Sequence, residues 1–585
     1  MRLFSTLGRL PGTRATLAMS VFAGAAEGIG LTLFIPLLRL MSDEKSEAGD
    51  KFFELIMAVF HFLHIPVTVV WLLICIPIII LSSQALSYTH NVLLIKAQQG
   101  YARKVRETMV ENLFRSQWLY LTEQSHGDIF NRLISETHRA SHALRFEILS
   151  AGVLAQVLLF IGISFFLSPN LLIISIAFAV LVAIVVRPLH KRAKWLGEFS
   201  TEQNTKLLFH AIELLKGAKL IKSNAVESLA TKRIDKHVSG VYEATVNTEV
   251  NHMRVYYIVQ SLPVILLAVV LGVATEIYTI PVSSTLVFLI FMARIAPRIA
   301  QFQQFSQGYT AYTAGLSSVD QLLNESRGAR EDMNPTGVSL RQFEQKIEFE
   351  DVTFSYPTST KPVLKDISFS IRKNQIVAIV GRSGSGKSTL VDLLIGLHKP
   401  NSGRLSIDGI SITDINLATW RQRIGYVSQD IVIFNDSVRN NILFANSTVD
   451  QMLINESMQL AHFSEVVEEL PEGMETNLGE GGVRLSGGQK QRLSLARALV
   501  RQPDVLFLDE ATSALDAESA HLIQSAIESI AHRMTIIIIS HRPSTLRRAD
   551  KIYVFKNGHI VEHGTYAELI KSGGHFKSLE SMPIS

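Results

Sequence analysis

The chain has 585 residues, of which 47% are hydrophobic and only 18% charged. Soluble domains average roughly 25% charged residues, so part of this chain is built for a nonpolar medium, and its apolar content excludes a disordered protein. Lys and Arg number 56 against 52 Asp and Glu, a balance of +4 that argues against a nucleic-acid partner, and the single Cys75 excludes a disulfide framework or a cysteine-rich zinc site.

The apolar residues concentrate before about residue 305. Ala15 to Leu38 is uncharged except for Glu27, and Ile65 to Thr89 carries no charge. Ile148 to Val186 is also uncharged, with Ser168-Pro169-Asn170 as a turn inside it, and so are Val255 to Thr275 and Ile277 to Ala293. A membrane-crossing helix needs about 20 largely apolar residues. Six spans are therefore expected, at about 15–39, 66–88, 147–167, 171–187, 256–277 and 283–303. Arg2, Arg9 and Arg14 before Ala23-Gly24-Ala25 resemble a cleaved leader, but the apolar run continues beyond the core length of such peptides.

Loop charges predict the orientation. Residues 1–14, 90–146 and 188–255 carry 22 Lys and Arg, whereas 42–65 carries only Lys45 and Lys51 among five carboxylates. Positive loops stay inside, so both termini are expected in the cytoplasm. The long inner loops mix charge with helical apolar spacing and read as membrane helices extended into the cytoplasm. Lys51 to His64 reads as a short outer amphipathic helix, either a cap over the helix ends or a membrane-surface element. The first domain is thus placed at 1–323, a linker at 324–345 and a soluble domain at 346–585.

From Lys346 short Val/Ile-rich strands alternate with helical stretches, the texture of an α/β domain. Val377-Ala378-Ile379-Val380 leads into Gly381-Arg382-Ser383-Gly384-Ser385-Gly386-Lys387-Ser388-Thr389 and then a helix. This is G-x-x-x-x-G-K-S in its strand–loop–helix context. Its backbone N–H groups and helix N-terminus suit phosphates, Lys387 should reach the β- and γ-phosphates of ATP, and Ser388 should ligate Mg²⁺. A second strand, Val505 to Leu508, ends in Asp509-Glu510. Asp509 is assigned to Mg²⁺ through water, and Glu510 to the attacking water.

Leu485-Ser486-Gly487-Gly488-Gln489, about twenty residues before Asp509, resembles the signature of the ABC ATPases. The whole chain resembles an exporter half-transporter of that family: a membrane α-helical domain of six spans with long cytoplasmic extensions, followed by an α/β P-loop ATPase domain. The resemblance implies that Tyr356 stacks on adenine and that Gln429 links Mg²⁺ to the membrane domain. It also implies that Glu480 touches the transmembrane helices, that Ser513-Ala514-Leu515-Asp516 crosses between subunits, and that His541 senses the γ-phosphate. Ser486, Gly487, Gly488 and Gln489 would complete the ATP site of the opposite subunit. Every motif is intact, so a homodimer with two hydrolytic sites is expected. Coupling to the spans is expected at about Trp118 to Gly127 and Gly217 to Glu227.

The cargo is less legible. Charges inside spans are rare and usually face a cavity or a partner. Glu27 in span 1, and Arg294 and Arg298 flanking Pro297 in span 6, form the candidate substrate cavity. Two readings stay open: the arginines form an interhelical pair with Glu27, or they meet a phosphate or pyrophosphate. The Glu27…Pro36 spacing and the outer helix resemble the flippases for lipid-linked oligosaccharides. The expected activity is ATP-driven export or flipping of an amphipathic, lipid-linked anionic substrate across a bacterial inner membrane. An exporter of lipids, drugs or peptides is the alternative, and an ATP-gated channel or regulator the alternative of another class.

Overall fold

The computed structural model describes residues 9–34, 36–37, 40, 58, 60–62, 64, 66–167, 169–276, 282–357, 359, 361–445, 449–511, 516–531, 533–540 and 542–580; many side chains between 166 and 190 and most between 259 and 296 lie outside that set. The chain divides into two compact units, Met1–Arg330 and Glu331–Ser585.

The first unit is helical: α1 Thr13–Thr32, α2 Val69–Phe114, α3 Trp118–Glu123, α4 His126–Asn131, α5 Thr137–Leu167, α6 Pro169–Lys216, α7 Ala218–Ser223, α8 Glu227–Glu276 and α9 Val282–Gly328. Helices α2, α6, α8 and α9 are 46, 48, 50 and 47 residues long. At about 1.5 Å per residue each measures roughly 70 Å, more than twice a hydrocarbon core of about 30 Å. The long inner loops are therefore continuations of the same helices. The short α3 and α7 fall in the two stretches expected to couple, and Leu220 on α7 is exposed.

Three segments among the described residues are long and apolar enough to cross a membrane: Thr13–Thr32, Val69–Phe114 and His126–Phe165. The stretches 171–187, 256–277 and 283–303 lie in α6, α8 and α9, where many side chains are outside the described set. Most of Lys51 to His64 is outside it as well, but Phe60 is buried beside Leu33, Leu37, Leu72 and Ile76. Polar groups tie the spans together. Gln156 Nε2 donates to the Ser20 carbonyl at 2.7 Å, and Ser83 Oγ donates to the Ala23 carbonyl at 2.9 Å. In a medium without water such bonds are the alternative to an unsatisfied donor. Below them, at a π-helical turn Arg132–Glu136, Arg139 joins three helices. Its guanidinium bonds Glu136, Thr201, and the carbonyls of Gly197 on α6 and Ala311 on α9.

The second unit holds two sheets. An antiparallel one runs β2 (Leu364–Arg372), β1 (Lys346–Phe354), β4 (Ser402–Ile407), β5 (Ile410–Ser411). The other runs β10 (His559–Gly564), β9 (Lys551–Lys556), β3 (Ile376–Gly381), β8 (Thr535–Ile539), β7 (Val505–Asp509), β6 (Ile424–Val427), parallel except for β10. The central strands are buried on both faces, which is why they read as unbroken apolar runs. Val377 and Ile379 of β3 join the core shared with the antiparallel sheet, while Ala378 and Val380 point into the helical core on the other face.

The expected linker, 324–345, differs from what the structure shows. Helix α9 continues through Gly328, and the residues after Arg330 pack on the second unit. Phe343 is fully buried, its ring edge-on to Trp420 at 6.4 Å, and Glu331 pairs with Arg421. A stretch that is polar by composition is folded down by a few apolar anchors, Leu340 and Phe343 among them.

Candidate functional site

The phosphate-binding loop follows from β3. Gly386 has φ +102° and caps helix α10 (Lys387–Ile395), and an added Cβ there would lie 2.7 Å from a Leu364 methyl. Only glycine combines that backbone with that close approach. Lys387 is 7% exposed, and its Nζ donates to the carbonyls of Gly381 at 2.6 Å and Arg382 at 3.1 Å. Burial pulls its ammonium below the usual lysine range, while Glu510 and Asp509 act to hold the proton. Thr389 Oγ1 lies 3.1 Å from the Tyr356 hydroxyl, and the Tyr356 ring is set edge-on between Phe354 and His398. The aromatic expected to meet adenine is thus tied to the helix that opens at the phosphates.

At the end of β7, Asp509 and Glu510 stand at the same sheet edge. Glu510 has φ +46°, a left-handed conformation that is uncommon outside glycine. Its backbone N–H is held by the Ile539 carbonyl at 3.0 Å, and Gln429 Nε2 donates to its carboxylate at 3.0 Å. Such strain recurs where a side chain must be aimed. The Asp509 carboxyl is pushed up by burial and by Glu510, against Lys387 and the Tyr426 hydroxyl, which hydrogen-bonds it.

The donors for a cation are the Ser388 hydroxyl, the Asp509 carboxylate and the Gln429 amide oxygen, the last left available because its nitrogen serves Glu510. All are oxygens, which fits Mg²⁺. Among the described residues no three His, Cys, Asp or Glu side chains form a ready metal cluster. Mg²⁺ bound together with phosphates needs only one or two protein ligands, so the residues present fit it. When bound, it would neutralise charge on the phosphates.

Ser486 caps helix α15 (Gly487–Leu499) reciprocally with Gln489: the serine hydroxyl accepts from the Gln489 N–H, and the Gln489 side chain accepts from the Ser486 N–H. This capping box leaves the remaining N–H groups of the first turn directed outward at a positive helix end. Gly488 is required by packing, because a Cβ there would come within 2.1 Å of Ser519 Oγ. Ser519 stands in the first turn of α16 (Ala517–Ile530), whose N-cap is Asp516, and the Ser519 N–H holds the Asp516 carboxyl below its usual range. The signature and the segment after Glu510 therefore meet within one chain. Glu480 lies in a 3-10 turn, Glu480–Gly482. His541 and Ser513-Ala514-Leu515 lie outside the described residues.

Two groups escaped the sequence reading. Tyr426 on β6 lies in the strand beside β7 and reaches Asp509, and burial and Asp509 raise its hydroxyl. Asp392 on α10 is pushed up to about 6 by burial and by Asp509. The available signal was a polar residue inside each of two apolar runs, two residues before Ser428 in one case and three after Thr389 in the other.

Glu27 and Arg298 come together: Arg298 Nη2 lies 2.7 Å from Glu27 Oε2, with Glu27 buried. Of the two open readings, the structure realises the interhelical pair for Arg298. The Arg294 side chain lies outside the described residues.

Residues 364–513 match the family described as ABC transporter, and residues 15–296 match the ABC transporter transmembrane region. The ATP-dependent lipid A-core flippase of Shewanella denitrificans is 32% identical over 498 residues, 82% of this chain and 80% of that protein. This chain belongs to the ABC transporter family. It fuses the transmembrane domain to the nucleotide-binding domain, and its ATP hydrolysis is coupled to transport across a membrane. The ATP-dependent lipid A-core flippase of Pseudomonas aeruginosa is 31% identical over 512 residues, 85% of this ABC transporter and 82% of that chain. The heterocyst differentiation ATP-binding protein HepA of Nostoc sp. is 29% identical over 559 residues, covering 95% and 91%. A solved bacterial Atm1-family ABC exporter with ATP bound has the same fold, with a TM-score of 0.81 at 22% identity and 98% of each chain covered.

Proposed function

We propose that this ABC transporter moves an anionic, lipid-linked amphiphile out of the inner leaflet of a bacterial inner membrane, as a homodimer with both ATPase domains in the cytoplasm. The observation that carries this reading is similarity to lipid A-core flippases across both domains rather than across the ATPase alone. The basic inner loops and the acidic outer one support the orientation.

In the proposed site the loop Gly381 to Thr389 wraps the phosphates of ATP, Gly384 lending backbone and Ser383 and Thr389 lining the cradle, while Tyr356 stacks on the base. Lys387 neutralises the transferred phosphate, Ser388 and Asp509 hold Mg²⁺, and Glu510 takes the proton of the attacking water, steadied by Gln429. His541 faces the γ-phosphate. Ser486, Gly487 and Gly488 present their helix N-terminus to the ATP of the other protomer, and Asp516 lies at the crossing loop. Because their neighbours in this chain are Ser519 and Asp516, a second copy is needed to close each site. Closure of the ATPase pair is transmitted through α3 and α7 and favours an outward-open cavity; hydrolysis resets it.

The test is ATPase activity in nanodiscs with a panel of anionic glycolipids, neutral lipids, hydrophobic drugs and peptides, with Glu510→Gln as the inactive control. Stimulation by the glycolipids supports the reading. Stimulation by the drugs or peptides alone sinks it. A native mass showing a stable complex with a different chain would overturn the homodimer.

A further inference from the structure

We propose that the cleft between the segment entering α1, the inner part of α2 and the inner end of α9 binds the phosphate of an anionic inner-leaflet phospholipid. The cleft has a volume of about 340 Å³ and is lined by Arg9, Tyr101, Lys104, Asp320, Asn324 and Arg327 among others. Elsewhere on these helical extensions cations are matched to carboxylates. Arg103 pairs with Glu107, Arg115 with Glu111, Arg132 with Asp128 and Lys206 with Glu202. The cleft breaks that pattern. Its carboxylate, Asp320, is engaged on both oxygens by Arg9 Nη1, at 2.9 and 2.7 Å. Tyr101 hydrogen-bonds the same guanidinium. Lys104 and Arg327 have no ion pair among the described residues, so three cations face one carboxylate that is already occupied.

Its place on the helices selects the ligand. Arg9 precedes by six residues the start of the apolar run at Ala15, and the first charge on α2 after its apolar run is Lys96, eight residues above Lys104. Eight helical residues rise about 12 Å, a distance that extended basic side chains and lipid head groups bridge together. The wall below the charges is apolar, formed by Val105 and Leu323, which continue into the packed core beneath. A soluble phosphate has no use for that wall, whereas the glycerol end of a lipid does. A phosphate held by Lys104 and Arg327 would link α2 to α9 beside the Arg9–Asp320 tie. The inference rests on the proposed orientation of the spans and is independent of the cargo.

The experiment measures lipid retention by native mass spectrometry after extraction from nanodiscs of phosphatidylcholine with phosphatidylglycerol, using the full chain, Lys104→Gln/Arg327→Gln and Lys104→Arg. The parent chain should retain phosphatidylglycerol in preference to phosphatidylcholine. The double variant should lose about 25-fold in affinity, about five-fold per basic side chain at an anionic surface, and Lys104→Arg should behave as the parent. All positions are outside the ATP site, so ATPase activity in pure phosphatidylcholine nanodiscs should match the parent. Retention unchanged in the double variant overturns the site. Displacement of the lipid by millimolar glycerol phosphate or inorganic phosphate overturns the lipid as its source. If the site holds while glycolipids fail to stimulate ATPase, the cargo reading fails alone.

Discussion

The Glu27–Arg298 pair gives the most discriminating perturbation in the membrane domain. Arg298→Gln leaves a carboxylate that is 5% exposed facing nonpolar surroundings without its cation. Removing one partner of a buried pair costs about 3–5 kcal/mol, because the other charge stays desolvated. At roughly 2 °C per kcal/mol for a unit of this size, the melting transition in detergent should fall by about 6–10 °C. Glu27→Gln should cost less, since Arg298 is only partly buried, keeps Gln301 within 3.4 Å and has a long stem to reach water. The double variant should recover much of the loss, because neither charge is then stranded, and the cycle should give a coupling of about 2 kcal/mol or more. Cargo-stimulated ATPase, normalised to folded protein, is read on all four chains. A parent-like melt for Arg298→Gln, or additive losses in the double variant, would refute a structural pair and return Arg298 to direct contact with the cargo.

Glu510→Gln should bind ATP and still accept the Gln429 hydrogen bond, yet lower turnover by about 10²-fold or more, since general-base catalysis contributes on that order; phosphate release against nucleotide binding checks it. Gly488→Ala places a methyl 2.1 Å from Ser519 Oγ. Overpacking of that kind costs about 1–3 kcal/mol, so the nucleotide domain should melt earlier and ATPase should fall; a variant with parent-like melt and turnover contradicts the packing. Asp392 sits at about 6 against an ordinary 3.8. Between those values the folded domain keeps a proton that the unfolded chain has released, so stability falls as pH rises from about 3.8 to about 6. Asp392→Asn should remove that slope and stabilise the domain at pH 8 by up to roughly 2 kcal/mol, allowing for partial exposure, as read from its unfolding transition at pH 4 and 8. Unchanged slopes would contradict the assignment.

Much of this ABC transporter is legible in local chemistry. Uninterrupted apolar runs announce membrane helices because lipid offers no hydrogen-bond partner. The P-loop, the two acids after Leu508 and the signature announce the ATP site because each works through backbone and side chains close together in the chain. Composition misleads at 331–345, where polar residues suggest a linker and two buried rings and chains, Phe343 and Leu340, pin it to the domain. It is also silent on Tyr426 and Asp392, whose importance comes from facing Asp509 across a strand and a helix.

The sequence by itself determined the class of machine: six apolar runs, their charge asymmetry and an unbroken set of ATPase motifs, all set by short-range patterns. Only the tertiary structure decided which charges meet. Glu27 and Arg298 are 271 residues apart, and Arg9 and Asp320 are 311 apart. No periodicity encodes such pairings. They depend on how the helices cross, and that is set by the packing of the whole membrane unit.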